Sequence, residues 1–189
     1  LITGNNVSTY AYGLYVSYDN NTMRDNVINS CSYGIYADGR NNTFVGNNVT
    51  NSAYGIYLES WYEGTRGNVL LNNIINSTTQ YGIFLKRSGG NILRNNLILN
   101  SSKFSFGIDL TSALYWPEGM SYSEIDNDID ITNLVDGKPI YYLLNVSDIV
   151  IDSSSNAELV YCINCKNVTV RDLNFVNQSM AVFFFNTNI

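Results

Sequence analysis

A short element made of tyrosine or phenylalanine, glycine, and leucine or isoleucine recurs five times in this 189-residue sequence. Successive glycines of the element are 21, 21, 27 and 25 residues apart. The five copies are Tyr12-Gly13-Leu14, Tyr33-Gly34-Ile35, Tyr54-Gly55-Ile56, Tyr81-Gly82-Ile83 and Phe106-Gly107-Ile108. A unit this short cannot bury its own apolar residues. The repeat therefore predicts units that stack on one another to form a solenoid.

Aligning the five repeats places apolar residues in four columns. The third and fourth columns are two residues apart, which is the alternation of a β-strand with one buried face. The columns are Ile2, Met23, Phe44, Leu70 and Leu93; Val7, Ile28, Val49, Ile75 and Ile98; Leu14, Ile35, Ile56, Ile83 and Ile108; and Val16, Ala37, Leu58, Leu85 and Leu110. We expect each column to contribute one residue per turn to a continuous core. By the same pattern, Val182 and Phe184 are expected to point inward.

Asparagine is unusually frequent, with 29 copies against only 2 prolines. Asparagine tolerates left-handed backbone angles, and stacked asparagine amides can hydrogen-bond from one turn to the next. Proline lacks the N–H that an inter-strand ladder needs. Both counts are typical of strands joined by tight corners.

The sequence also resembles a known family. The resemblance rests on the Asn-Asn-Thr corners at 20–22 and 41–43, on the Gly-Ile-Tyr elements, and on the stretch from Asp136 to Tyr142. It is similar to the repeats of NosD-like and carbohydrate-binding or sugar-hydrolase (CASH) proteins, which are abundant in archaeal surface proteins. This resemblance implies an all-β, right-handed, single-stranded parallel β-helix of about eight rungs of 21–27 residues.

The same reading predicts one domain over residues 1–189. It places regular rungs at 1–111, a loop insertion at 112–124 and less regular rungs at 125–189. We expect this domain to be part of a longer chain.

The composition excludes several kinds of chemistry. With no histidine, the sequence has no Ser-His-Asp triad and no histidine-ligated metal. The formal charge of −6 argues against nucleic acid as a partner, and no apolar run is long enough for a membrane span. Cys31, Cys162 and Cys165 are expected to pack in the core or in turns, with a local disulfide or redox role as the alternative. No catalytic residue is predicted.

Aromatic residues occupy outward positions beside the core columns. Tyr15, Tyr36, Tyr57 and Phe84 form one file, and Tyr12, Tyr33, Tyr54, Tyr81 and Phe106 form another. The rings could stack on each other, bind sugar rings, or pack against a neighbouring protein. Tyr15, Tyr36 and Tyr57 are therefore ligand-binding candidates.

Two stretches interrupt the repeat and contain both tryptophans. Trp61 and Tyr62 lie in the first stretch, and Trp116 lies in the second. Loops on a rigid scaffold commonly carry binding residues. These three residues are the remaining ligand-binding candidates; the alternative is that the loops fold back over the flank of the solenoid.

Four acidic residues alternate with other residues at 124–131. On a strand, Glu124, Asp126, Asp128 and Asp130 would share one face, and carboxylate oxygens are ligands for Ca²⁺. They are candidate calcium ligands; otherwise no cofactor is expected. The alternative is a solvated acidic edge that prevents strands of other molecules from pairing.

Nine N-glycosylation sequons occur in the sequence, and they favour an extracellular or cell-surface protein. They begin at Asn6, Asn20, Asn41, Asn48, Asn76, Asn100, Asn145, Asn167 and Asn177.

The leading functional hypothesis is a non-catalytic structural or adhesive protein of the cell surface, in an envelope layer, sheath or filament. Its partner would be another copy of itself or a neighbouring surface protein. Two alternatives remain open: a module that binds a polysaccharide, and a fragment of a polysaccharide lyase or hydrolase.

Overall fold

The computed structural model describes residues 1–59, 66–109, 122–176, 178 and 180–188. Over these residues the chain forms a parallel β-solenoid of about seven turns with about 22 residues per turn, and no α-helix. Two 3-10 turns occur, at Tyr122–Glu124 and Ser153–Ser155. The predicted all-β parallel solenoid is confirmed.

Each of the first five turns contains three short strands separated by corners. The first turn has β1 (Ile2–Thr3), β2 (Asn6–Ser8) and β3 (Tyr12–Val16), and the second has β4 (Thr22–Arg24), β5 (Val27–Asn29) and β6 (Tyr33–Ala37). The third has β7 (Thr43–Val45), β8 (Asn48–Thr50) and β9 (Tyr54–Glu59). The fourth has β10 (Val69–Leu71), β11 (Ile74–Asn76) and β12 (Tyr81–Lys86), and the fifth has β13 (Ile92–Arg94), β14 (Leu97–Leu99) and β15 (Phe104–Asp109).

Corresponding strands of successive turns pair in parallel and build three sheets. The first sheet contains β1, β4, β7, β10 and β13, and the second begins with β2, β5, β8, β11 and β14. The third contains β3, β6, β9, β12 and β15. In this register Met23 lies opposite Phe44, and Ile28 lies opposite Val49, as the columns predict. These inward residues form the first core, in which Met23, Phe44 and Ile56 are fully buried.

The predicted alignment of the fifth repeat is wrong by two residues in its last two columns. Phe106 lies opposite Ile83, and Ile108 lies opposite Leu85. Phe106 is therefore a core residue, and the ring that follows Tyr81 on the outer face belongs to Phe104. Gly107 explains the choice of register, because a Cβ at this position would lie 2.5 Å from the ring of Tyr81.

Asparagine plays two separate roles at the corners. One set has positive φ angles and is mostly exposed, as at Asn20 (61°) and Asn41 (53°). The other set forms a ladder in which each Nδ2 group donates to the Oδ1 of the asparagine one turn on, over 2.8–3.0 Å. The donors are Asn5, Asn26, Asn47, Asn73 and Asn96, and Asn133 is the last acceptor; all of them except Asn5 are buried. Because the backbone cannot satisfy these buried groups alone, the ladder fixes the turns in register.

The chain reverses direction in the sixth turn. This turn contains β16 (Asp128–Ile129), which extends the first sheet, and β17 (Leu134–Val135), which extends the second. The next strand, β18 (Lys138–Leu144), pairs with β17 in the antiparallel direction. Asp136 and Gly137 form the two-residue turn, with φ angles of 47° and 83°. Positive φ at both positions is the geometry of a tight hairpin.

With β18, the remaining strands form a second stack that follows the first stack, β1–β17. They are β19 (Ser147–Ile151), β20 (Leu159–Ile163), β21 (Lys166–Val170) and β22 (Val182–Phe185). β18, β20 and β22 continue the second sheet in parallel with one another, while β19 and β21 form a separate two-stranded sheet.

The strand β20 is buried on both faces. Leu159, Tyr161 and Ile163 pack in the first core, whereas Val160 and Cys162 pack in a second core together with residues of β19 and β21. Relative to the first stack, the second stack thus reverses both the direction of the strands and the face of the sheet that encloses its core. Reversing only one of the two would change the hand of the coil. Because both are reversed, the hand is the same in the two stacks.

The prediction for Val182 and Phe184 is wrong with respect to the first core. Phe183 and Phe185 pack against that core, whereas Val182 and Phe184 are 41% and 38% exposed. They line an open groove of about 520 Å³ beside Val168 and Phe175. The reversal at Asp136 and Gly137 changes which face of the strand encloses a core, and the repeat of the first stack does not carry that information.

Candidate functional site

The outer face of the third sheet carries two files of aromatic rings, here called the aromatic ladder. The first file stacks nearly parallel rings, with centroids 5.2 Å apart for Tyr12 and Tyr33 and 4.9 Å apart for Tyr33 and Tyr54. The second file places Tyr36 and Tyr57 5.5 Å apart. The ladder consists of Tyr12, Tyr33, Tyr54, Tyr81 and Phe104, and of Tyr15, Tyr36, Tyr57 and Phe84. In-register pairing puts these rings at the inter-strand spacing, which suits offset stacking.

The two files interlock. Tyr33 meets Tyr57 edge to face at 5.2 Å, and Tyr54 meets Tyr57 in the same way at 5.1 Å. Tyr36 and Tyr57 are only 8% and 7% exposed. Burial, together with the nearby Glu59 carboxylate, raises the pKa of Tyr57 well above its ordinary value. The middle of the ladder is therefore a packed layer, which supports the interpretation that these rings stabilise the sheet.

Charged residues lie at the carboxyl ends of β9, β12 and β15, beside the aromatic ladder. Glu59 is buried, accepts a hydrogen bond from the Tyr36 hydroxyl at 2.9 Å and pairs with Lys86. The register places Lys86 between Glu59 and Asp109, so unlike charges alternate along the axis. The charges were not predicted as a column, because Asp109 falls in line only when Ile108 is aligned with Leu58 and Leu85.

The accessible end of the ladder lies in the first two turns. Tyr12 and Tyr15 are 45% and 54% exposed, and Tyr33 is half-buried. The Tyr15 hydroxyl donates to the Asp38 carboxylate at 3.3 Å. Of the predicted ligand-binding tyrosines, Tyr15 is thus accessible, whereas Tyr36 and Tyr57 are buried. An exposed aromatic surface with an adjacent carboxylate can take a flat apolar partner or a sugar ring.

The four predicted calcium ligands do not lie together on one strand. Glu124 ends the first 3-10 turn, and β16 includes only Asp128 of the four residues. Each carboxylate faces an arginine of the fourth or fifth turn. The pairs are Arg66–Asp126 at 2.8 Å, Arg87–Glu124 at 3.2 Å, Arg94–Asp128 at 2.5 Å and Arg94–Asp130 at 3.1 Å.

Within the described ranges, no group of three or more acidic or cysteine side chains is placed to hold a metal ion. The arginine pairs instead join the segment that begins at residue 122 to the fourth and fifth turns. The calcium prediction gains no support from this arrangement.

Several predicted site residues lie outside the described residues. These are Trp61, Tyr62 and Trp116 among the ligand-binding candidates, Asn177 among the sequons, and most of the predicted insertion at 112–124.

The other eight sequon asparagines are at the surface or half-buried. Asn6, Asn20, Asn41, Asn100, Asn145 and Asn167 are exposed, and Asn48 and Asn76 are half-buried. At 20–22 and 41–43 the sequon coincides with the corner itself. The first asparagine takes the left-handed conformation, and the second donates its backbone N–H to the Oδ1 of an asparagine one turn on. The fold alone thus accounts for part of the sequon count.

The family described as "Right handed beta helix region" matches residues 1–117, which is more than half of the chain. The chain therefore belongs to this family of right-handed β-helix proteins. Searches of the curated proteins and of the solved structures gave no match. The narrower resemblance to NosD-like repeats stays a prediction.

In the part of the chain that the structure describes, no helix has the length and apolar character needed to cross a bilayer.

Proposed function

We propose that this protein is a non-catalytic structural or adhesive module of the cell surface, which associates with copies of itself through the accessible end of the aromatic ladder. The observation that carries the proposal is the exposure of Tyr12 and Tyr15 at the end of a stacked aromatic layer. Such a surface is flat, apolar and held rigidly by the sheet, and it loses little conformational freedom on binding.

Sedimentation velocity across a range of concentrations tests the proposal. The double variant Tyr12→Ser, Tyr15→Ser should weaken self-association by at least roughly tenfold, because buried tyrosines commonly dominate interface energies. Tyr10 and Tyr18 supply a matched control, since they are exposed by 66% and 79% and lie outside the strands. Their serine variants should associate like the natural protein. A protein that stays monomeric at every concentration, or equal behaviour of both double variants, would contradict the proposal.

The charge arrangement favours a binding role over a catalytic one. Polysaccharide hydrolysis uses two carboxyl groups that flank the scissile bond, one of them free to donate a proton. The carboxylates of 124–130 instead face arginines, and Glu59 pairs with Lys86. A lyase or hydrolase activity is therefore the least supported of the three hypotheses.

Glycan binding at the same surface is the second candidate function. The feature that favours it is the Asp38 carboxylate beside the ring of Tyr15, because sugar sites combine an aromatic platform with oriented polar groups. Calorimetric titration with cell-wall oligosaccharides tests it. Binding that Tyr15→Ser abolishes and Tyr18→Ser retains would support a glycan site; heat signals equal to those of buffer for every sugar would contradict it.

We also propose that the protein is exported. The exposure of six sequon asparagines supports an extracellular location, since glycosylation needs accessible loops. Expression in a glycosylating host tests it: glycosidase treatment should lower the protein mass, and the variant Asn41→Gln should lose one glycan. An unmodified mass in such a host would contradict the use of these sequons.

A further inference from the structure

Two cysteines lie on either side of a corner in the second stack. Cys162 is in β20, and Cys165 directly precedes β21. Both are buried, and both belong to the second core. Asn164 lies between them and has a φ of 53°, so the chain turns sharply between the two cysteines.

The two thiols share the second core, where the Cys165 thiol is near enough to Cys162 to help raise the pKa of the Cys162 thiol. The Cys165 Sγ also donates to the carbonyl oxygens of Ile163 at 3.4 Å and Leu143 at 3.5 Å, which holds it in place. Both cysteines carry free thiols in this structure.

The second core is small, which gives a covalent link at this corner a physical purpose. Among the described residues it contains six buried residues, whereas the first core contains 27. A small core supplies little of the free energy that orders the chain around it, and proteins with such cores commonly use covalent links.

We propose that Cys162 and Cys165 form a disulfide that closes the corner between β20 and β21. This inference goes beyond the proposed function and does not depend on it. The oxidant is a small disulfide such as oxidised glutathione.

The exchange proceeds in two balanced steps. One cysteine thiolate attacks a sulfur of oxidised glutathione, so that a mixed disulfide forms and a glutathione thiolate leaves. The second cysteine thiolate then attacks the protein sulfur of the mixed disulfide, and the second glutathione thiolate leaves. The protein loses two protons and two electrons, and oxidised glutathione is reduced to two thiols.

We expect the disulfide to form while the chain folds and not after folding is complete. Burial, with the neighbouring Cys165 thiol, raises the pKa of the Cys162 thiol to about 12. Since the thiolate is the nucleophile, the folded protein reacts slowly. We therefore expect oxidised glutathione added after folding to act much more slowly than the same reagent present during folding.

Refolding in a mixture of reduced and oxidised glutathione tests the proposal. After refolding, the protein is unfolded at acid pH, alkylated and examined by mass spectrometry. The expected result is one alkylated cysteine, Cys31, and a Cys162–Cys165 peptide lighter by two hydrogen atoms.

Cys31 is the internal control because it is buried in the first core, away from this corner. The variant Cys31→Ser should show no alkylated cysteine, and Cys165→Ser should show two. Three alkylated cysteines in the natural protein, or a disulfide that includes Cys31, would overturn the proposal.

A melting experiment needs no variant and covers the case in which Cys165→Ser fails to fold. The oxidised natural protein should melt about 4 °C above the same protein in dithiothreitol, as expected for closure of a short loop in a chain of this size. Equal melting temperatures would overturn the stabilising role of the link. The same difference in melting temperature between oxidised and reduced protein is expected for Cys31→Ser, because that variant retains both corner cysteines.

Discussion

The first stack, β1–β17, and the second stack, β18–β22, solve the same packing problem in different ways. In the first stack, three sheets enclose one core, and a buried asparagine ladder joins every turn to the next. In the second stack, one sheet serves two cores, and its asparagine contacts at Asn145, Asn164 and Asn186 are exposed. Regular winding thus depends on buried polar groups, whereas the second stack depends on a strand buried on both faces.

Removing one amide from each ladder should give the largest difference between the stacks. Asn73→Ala would remove the acceptor of two N–H groups of Asn47 and the Nδ2 hydrogen bond to the Phe44 carbonyl. We expect a loss of about 2–6 kcal/mol in the free energy of unfolding, since each of the two buried N–H groups that loses its acceptor costs about 1–3 kcal/mol. Asn164→Ala, at an exposed corner, should cost about 1 kcal/mol. Urea denaturation of both variants measures the difference, and equal losses would show that the buried ladder has no special weight.

Two glycine substitutions should show whether a Cβ clash or a positive φ angle costs more stability. A Cβ at Gly55 would lie 2.3 Å from the Gly82 carbonyl oxygen and 2.4 Å from Ile75 Cγ2. We expect Gly55→Ala to cost about 3 kcal/mol, because the neighbouring turn must move. Gly137, at the reversal, has a φ of 83° and open space around it. Gly137→Ala should therefore cost only about 1 kcal/mol. Thermal unfolding followed by circular dichroism checks the order; a larger loss at Gly137 would place the steric limit at the reversal instead.

Two tyrosines at the junction of the stacks should respond in opposite directions. The Tyr161 hydroxyl is buried with no hydrogen-bond partner in the described part of the chain, whereas the Tyr142 hydroxyl donates to the Ile125 carbonyl at 2.6 Å. Tyr161→Phe should raise stability by about 1 kcal/mol, and Tyr142→Phe should lower it by about 1 kcal/mol. Chemical denaturation of the two variants decides the signs. A loss of stability in Tyr161→Phe would mean that its hydroxyl is satisfied.

The smallest effect concerns a carboxylate of the second stack. Asp152 caps the 3-10 turn at Ser153–Ser155, and hydrogen bonds from the Ser154 hydroxyl and N–H lower the pKa of its carboxyl below 3.8. The charged form therefore stabilises the fold above the ordinary pKa, and this contribution is lost as pH falls through the folded pKa. An NMR titration of the carboxyl carbon measures that pKa directly. Asp152→Asn keeps the acceptor and should remove only the pH dependence, whereas Asp152→Ala should also loosen the turn; an Asp152 that titrates above 3.8 would contradict the account.

The repeat of apolar residues predicted the first four turns residue by residue, because each column must fill the same space in every turn. It failed at the fifth turn, where Phe106-Gly107-Ile108 imitates the earlier elements. Both alignments satisfy the alternation of the strand. Only the space left by the ring of Tyr81 decides that the glycine points outward and that Phe106 is buried.

The candidate site was predicted in part. The tyrosine files follow directly from the outward positions of the strands, so their stacking was foreseeable. Their burial was not, since it depends on what surrounds Tyr36 and Tyr57. The acidic residues of 124–130 were recognised as a group, but their arginine partners are 34 to 60 residues away in sequence.

The sequence by itself determined that this chain winds into stacked parallel strands with an asparagine-rich corner in each turn. That result follows from local rules: alternation, tight-turn chemistry and a repeat too short to fold alone. Tertiary structure decided where the winding reverses and which face of β20 meets which core. Those outcomes depend on contacts between residues far apart in sequence, where several local arrangements are equally allowed and only packing distinguishes them.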